Sequence, residues 1–356
     1  MRASYLFLSL LLSVFSISFA ASFEVSGEAE ASAIGSYKQV DPRAEVMEPS
    51  ETVEHALAST LDISFAFKWD KFWSATAAFS ADGDGTAPVA ALDGIAIIFT
   101  PNEKMTLTLG DLSYAEGAFR YYDYDDTGDY AAGMIDHDVR GVQFDYDSFT
   151  AGLGFGVEDS KTYMLHLAYS LNLMGQTIRP YFNFQSHRTG MIGNEIRTGL
   201  VNEFVFGESF NAQLVYSVYK NGLKKGTEEW SHAITFEPTI QLKSFSVKLS
   251  SYYALIYDEA ESTAIDAPEY AFIYAEPGIA LNPKWSLGLP LELHAMTLDK
   301  DASLEQFFVG PKVYFNPVEP LAMEGFVRLG VPLGEDYTSE NDSPYVLLGL
   351  DISFTF

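Results

Sequence analysis

Hydrophobic and polar residues alternate along most of this chain, and the clearest run is its last. In 345–356, Leu348, Leu350, Ile352, Phe354 and Phe356 share one parity, while Gly349, Asp351, Ser353 and Thr355 share the other. Side chains of a strand point alternately to its two faces, so this run predicts a strand with one greasy face and one mostly polar face. The pattern also opens the chain after residue 20. Phe23, Val25, Ala29, Ala31, Ala33 and Tyr37 alternate with Glu24, Ser26, Glu28, Glu30 and Ser32, with Ile34 as the exception. Further on, Leu61, Ile63, Phe65 and Phe67 alternate with Asp62, Ser64, Ala66 and Lys68. A tight turn at Trp69-Asp70-Lys71 then leads into Trp73, Ala75, Ala77 and Phe79. A flat apolar strand at the edge of a soluble sandwich invites aggregation. The same strand closing a barrel against the first one, with its outer face in lipid, has every backbone group paired.

Short turns bounded by aromatic or aliphatic residues recur: YDSF at 146–149, FGESF at 206–210, LKSF at 242–245 and LNPKW at 281–285, with longer versions at 99–105 and 315–321. Between them lie longer, polar, acidic connections. Short turns at one end, long loops at the other and aromatics at the interface are the pattern of an outer-membrane barrel. Counting the alternating runs predicts about 18 strands, or 16 if one hairpin has been split wrongly, each near the 9–11 residues a tilted membrane strand needs. Proline recurs early in three descending strands, at Pro238, Pro277 and Pro311. Proline brings no N–H to a ladder, so a shared local irregularity, such as a bulge, is expected there.

The N-terminus changes the picture next. Arg2, the apolar run from Leu6 to Phe15, and Ser18-Phe19-Ala20 read as a secretory signal peptide, 1–20, cleaved after Ala20. The domain division is therefore 1–20 as signal and 21–356 as one transmembrane β-barrel. No Cys occurs, so disulfides and thiolate metal sites are excluded. The chain carries 21 Lys and Arg against 49 Asp and Glu, a net charge of −28. That balance argues against nucleic acid as a partner and allows attraction of cations.

With the alternating strands, the aromatic-bounded turns, the signal peptide and a terminal Phe in hand, the chain resembles a bacterial outer-membrane porin over its whole mature length. The resemblance implies an all-β fold, a transmembrane antiparallel up-and-down β-barrel. It also implies a water-filled channel in the outer-membrane lipid for small hydrophilic solutes, and a homotrimer. Assembly would be by the outer-membrane machinery, with Phe356 as the signal that machinery reads. No cofactor is implied.

A barrel of 18 strands tilted about 40° has a circumference near ~110 Å and a backbone diameter near ~35 Å, too wide for its own side chains to fill. A selective pore then needs a segment inside it. The stretch 114–138 is the longest connection and the candidate constriction. It carries Glu116, Asp123, Asp125, Asp126 and Asp129 against Arg120, interleaved with Tyr121, Tyr122, Tyr124 and Tyr130. Carboxylates in a narrow aqueous neck attract cations, and tyrosine faces beside them suit sugar rings. A cap over the mouth is the alternative placement. Residues 123–134 resemble the first half of a calcium loop, but Met134 stands where the bidentate Glu is needed, so no metal is expected.

Parity assigns Glu24, Glu28, Asp62, Glu237, Glu292 and Glu324 to the lumen wall, together with Lys68, Arg179, Arg197, Lys248, Lys312 and Arg328. Glu203 and Glu276 share that face. Acids outnumber bases, so the pore is expected to lean to cations or neutral solutes. Two other functions stay open, a saccharide-selective channel and a structural or adhesin barrel without conductance. Of the six His, none sits in a catalytic motif, and no enzyme activity is expected.

Overall fold

The computed structural model describes residues 22–38, 53–83, 89–121, 135–156, 162–187, 194–221, 230–255, 269–298, 301–333 and 344–356. They form one sheet of 18 barrel strands. The first nine are β1 (Ser22–Lys38), β2 (Val53–Lys68), β3 (Trp73–Gly83), β4 (Val89–Asn102), β5 (Met105–Glu116), β6 (Ile135–Tyr146), β7 (Phe149–Gly156), β8 (Thr162–Tyr169 with Leu171–Leu173) and β9 (Gln176–His187). The others are β10 (Glu195–Phe206), β11 (Phe210–Asn221), β12 (Ser231–Leu242), β13 (Phe245–Leu255), β14 (Glu269–Asn282), β15 (Trp285–Gly288 with Leu291–Leu298), β16 (Asp301–Val309 with Lys312–Val318), β17 (Leu321–Pro332) and β18 (Tyr345–Thr355). Each pairs antiparallel with the next, and β18 pairs back onto β1, from Glu28↔Thr355 to Lys38↔Tyr345. The ring has no open edge along that seam.

The seam extends to the last residue. Gly27 and Phe356 exchange two backbone hydrogen bonds of 2.9 Å. A Cβ on Gly27 would sit 2.3 Å from the Asp62 carbonyl oxygen and 2.7 Å from Cζ of the Phe356 ring, so glycine is what fits between β2 and that ring.

Register confirms the two faces. Leu348, Leu350 and Phe354 point outward and are exposed, as do Ile95, Ile97, Leu109 and Leu153. In a bilayer that surface is in lipid. Aromatics gather at the short-turn end, where Trp73 packs on Phe99 at 4.5 Å and Trp285 on Phe315 at 4.1 Å. The short turns reach left-handed backbone at Asp147, Met174 and Lys243, with φ of 56°, 50° and 54°.

Two expectations need refinement. β5 runs to Glu116 and β6 starts at Ile135, because Tyr114↔His137 and Glu116↔Ile135 continue the ladder. The connection is therefore shorter than 114–138, and Glu116 is a wall residue. Of the three prolines expected to mark an irregularity, Pro311 lies at a strand break, while Pro238 and Pro277 lie inside continuous strands. β15 is interrupted at Leu289-Pro290 and β16 at Gly310-Pro311. The ladder is bridged there by Leu289 N–H to Pro277 O (2.9 Å), Gly310 N–H to Pro290 O (3.2 Å) and Val327 N–H to Pro311 O (3.0 Å). Prolines on adjacent strands thus accept where they cannot donate.

Candidate pore and its charged lining

At the end of β5 the chain turns into the barrel. Gly117 has φ 84°, a left-handed conformation that favours glycine, and a Cβ there would meet Val215 of β11 at 2.7 Å. The next four residues dock on the far wall. The Ala118 carbonyl accepts from Gln213 Nε2 at 2.9 Å. The Phe119 ring lies 5.6 Å from Tyr252 and 5.3 Å from Phe272, on β13 and β14. The Arg120 N–H donates to Glu237 on β12 at 2.8 Å. Its guanidinium donates to Glu203 on β10 at 2.6 Å and to Gln213 at 3.0 Å. The Tyr121 hydroxyl bonds Thr239 on β12. Since β5 and β12 are separated by six strands around the ring, this segment crosses the lumen.

The wall it reaches is closely packed. Tyr252, Phe272, Tyr274 and Glu237 are buried, as are Ala233 and Ala254 beside Phe119 and Tyr121. Rings continue around the wall from Tyr252 to Phe272, His294, Phe308 and Tyr345.

Two carboxylates are each held between an Arg and a His. Glu116 takes Arg179 Nη2 at 2.7 Å and His166 Nε2 at 3.3 Å, with Tyr114 stacked on His166 at 4.9 Å. Glu292 takes Arg328 Nη2 at 2.6 Å and His294, while the Arg328 guanidinium lies 3.5 Å over the Phe308 ring. Burying a carboxylate is costly unless charge and hydrogen bonds compensate it, and both sites supply the two.

The lumen bases are paired almost throughout. Arg197 meets Glu195 at 2.9 Å, Lys248 meets Glu276 at 3.3 Å, and Lys312 meets Glu324. Tyr274 and Tyr314 also donate to Glu276, at 2.5 and 2.7 Å. Lys68 is the lumen base with no ion pair among the described residues. The opposite wall differs. Glu24 and Glu28 on β1 and Asp62 on β2 point inward, are exposed, and hold no ion pair among the described residues.

Each residue predicted for the wall therefore stands on the inner face. Of the predicted constriction, Arg120 and Tyr121 lie inside the barrel. Tyr122, Asp123, Tyr124, Asp125, Asp126, Asp129 and Tyr130 fall outside the described residues, as does the calcium-like stretch. Sequence reasoning missed Phe119, Gln213 and Asn211, whose Oδ1 accepts from Arg120 Nη1 at 3.5 Å, as docking partners, and His166 and His294 as partners of buried glutamates. Parity could flag their face but not their neighbours.

A closed ring of 18 antiparallel strands, apolar outside, charged inside and crossed by an inward segment, is the fold of bacterial outer-membrane porins. Solved structures of that fold are similar across nearly the whole chain. OccAB3 of Acinetobacter baumannii matches with a TM-score of 0.60 at 10% identity, covering 94% of this chain and 100% of its own. OccK9 (OpdG) of Pseudomonas aeruginosa matches with a TM-score of 0.61 at 9% identity, covering 94% and 98%. OpdK of the same organism, solved with vanillate, matches with a TM-score of 0.56 at 9% identity, covering 94% and 98%. No protein-family model matches the chain, and no curated protein matches it.

Proposed function

We propose that this protein is a porin of the bacterial outer membrane, a water-filled channel for passive diffusion of small hydrophilic solutes that favours cations and neutral molecules. The observation that carries the ionic preference is the asymmetry of the lining. The wall bases from Arg179 to Arg328, and Arg120 of the crossing segment, are neutralised by a carboxylate in place. Among the described residues, the exposed Glu24, Glu28 and Asp62 are answered only by Lys68. Ions passing through meet the unpaired charges, and those are mostly negative. The crossing segment supplies the constriction, with Phe119 and Arg120 fixing it to the far wall. Assembly through the outer-membrane machinery, with Phe356 as its signal, and removal of residues 1–20 belong to the same reading.

The saccharide reading drew on the tyrosines of 121–130. Tyr121 already commits its hydroxyl to Thr239, and the wall rings from Tyr252 to Phe308 are buried, out of reach of a passing sugar. The test is a planar bilayer holding the purified protein in a tenfold KCl gradient. The expected result is stepwise conductance with a reversal potential of cationic sign and no block by maltooligosaccharides. Anionic reversal refutes the preference, sugar block restores the saccharide reading, and absence of conductance favours a structural barrel.

A further inference from the structure

The outer face of β5 and β6 carries charge where lipid contact is expected. Asp111 and Arg140 are paired residues of two 12-residue strands, both near the middle. Register turns both outward, in line with Leu109 and Val142. Arg140 Nε donates to Asp111 Oδ1 at 2.6 Å, and the Arg140 side chain is 69% exposed. Around them Leu109, Leu153, Phe155 and Ile95 are exposed and apolar. Asp138 lies on the same face of β6, one pleat along.

Asp111 has a local explanation. The β4–β5 ladder stops at Ala96↔Gly110, and Asp111 Oδ2 takes up the Ile95 N–H at 2.9 Å. Arg140 has none. Its two Nη atoms have no hydrogen-bond partner among the described residues. An arginine on the lipid face of a barrel near mid-depth costs about 2–4 kcal/mol. A charge kept there implies a polar group covering it.

We propose that a second copy of this chain packs on this face, about a two-fold axis that runs along the membrane normal between β5 and β6. The charge arrangement selects that occupant. Both copies enter the membrane in the same direction, so the axis relating them keeps depth and exchanges left with right. A side-by-side acid and base then meet their own copy with signs reversed. Arg140 faces the second Asp111 and the second Arg140 faces Asp111, closing a ring of four alternating charges, as a self-complementary contact requires. The homotrimer implied by the resemblance would set this doublet against a different strand face. Among the described side chains elsewhere, Lys220 lies on the outer face over Trp230 near the long-loop end of β11, and Asp93 is exposed at the β4 bulge two residues before Ile95. Lys220 has the wrong sign to answer Arg140, and Asp93 stands on the strand next to β5, beside the same doublet.

The chain has no Cys, which suits disulfide trapping. Ser113→Cys places a thiol on the outer face one pleat from Asp111, and Leu293→Cys places one on the outer face of β15. Intact outer-membrane vesicles of each are oxidised and run under non-reducing conditions, with heat-modifiable mobility confirming a folded barrel. Ser113→Cys should give a band of twice the monomer mass and Leu293→Cys should not. On the Ser113→Cys background, Arg140→Asp alone and Asp111→Arg alone should each lower the dimer at least tenfold, since each makes the ring like-charged. Co-expressed, the two should cross-link to each other. Should either reversal variant fail to fold, Arg140→Gln must still lower the dimer several-fold. No dimer from folded Ser113→Cys protein, equal trapping at Leu293→Cys, or no recovery on co-expression of folded variants overturns the proposal.

Discussion

Removing the Phe119 anchor should loosen the crossing segment more than removing the Arg120 side chain. Complete removal of a buried Phe to Ala costs about 3–5 kcal/mol. Phe119 is half-buried and keeps two aromatic neighbours, Tyr252 and Phe272. About 2 kcal/mol of docking is therefore assigned to it. Arg120 contributes one short charge-assisted bond to Glu203 and one to Gln213. Bonds to charged groups are worth about 1.5–3 kcal/mol when buried. The side chains here are 26% and 46% exposed, so solvent reduces the pair to about 1 kcal/mol. Phe119→Ala then raises the released-to-docked ratio about 30-fold, Arg120→Ala about 5-fold, and the double variant about 150-fold. The backbone bond from Arg120 to Glu237 persists in each. Single-channel recordings at fixed salt read this as the frequency of excursions to a higher conductance level, and the order should be double, Phe119→Ala, Arg120→Ala, wild type. If Arg120→Ala opened the channel more often than Phe119→Ala, or if neither changed the trace, the segment would not be held as described.

Three other outcomes are expected. Neutralising the open wall with Glu24→Gln, Glu28→Gln and Asp62→Asn should lower the cation-to-anion permeability ratio by about threefold in ~0.15 M salt, the sum of three charges screened at roughly 8 Å; an unchanged reversal potential refutes the assigned path. Glu292→Gln leaves the buried Arg328 without its counter-charge, at a cost of about 3–5 kcal/mol; a urea midpoint equal to wild type by heat-modifiable mobility would contradict that account. Gly27→Val forces a methyl-bearing carbon against the Asp62 carbonyl and the Phe356 ring and should cost about 1–3 kcal/mol through overpacking, seen as a lower temperature for loss of the folded band.

Strand identity was legible because a period of two is written directly in the residues, as in Leu348 to Phe354. The extent of β5 and β6 was not, since Tyr114, Glu116 and Asp138 have the composition of a loop and only pairing makes them wall. Ion partners were also beyond reach. Arg120 and Glu203 stand 83 positions apart, Arg120 and Glu237 117 apart. Parity names a face, while the neighbour on that face depends on every turn length between. One signal was present and unused. Leu107, Leu109 and Asp111 share a parity, as do Phe144, Val142 and Arg140, so the charges on the lipid side are written in the sequence.

In the proposed channel the lining would govern how a solute travels as well as which solute enters. Fixed carboxylates stand on β1 and β2, and the cations across the lumen are already spoken for. The electric field therefore points across the channel instead of down it. A zwitterion in transit would turn its ammonium end toward β1 and its carboxylate away, and pass sideways-on. Among solutes of equal size and zero net charge, those with a large dipole will be the ones the channel orients.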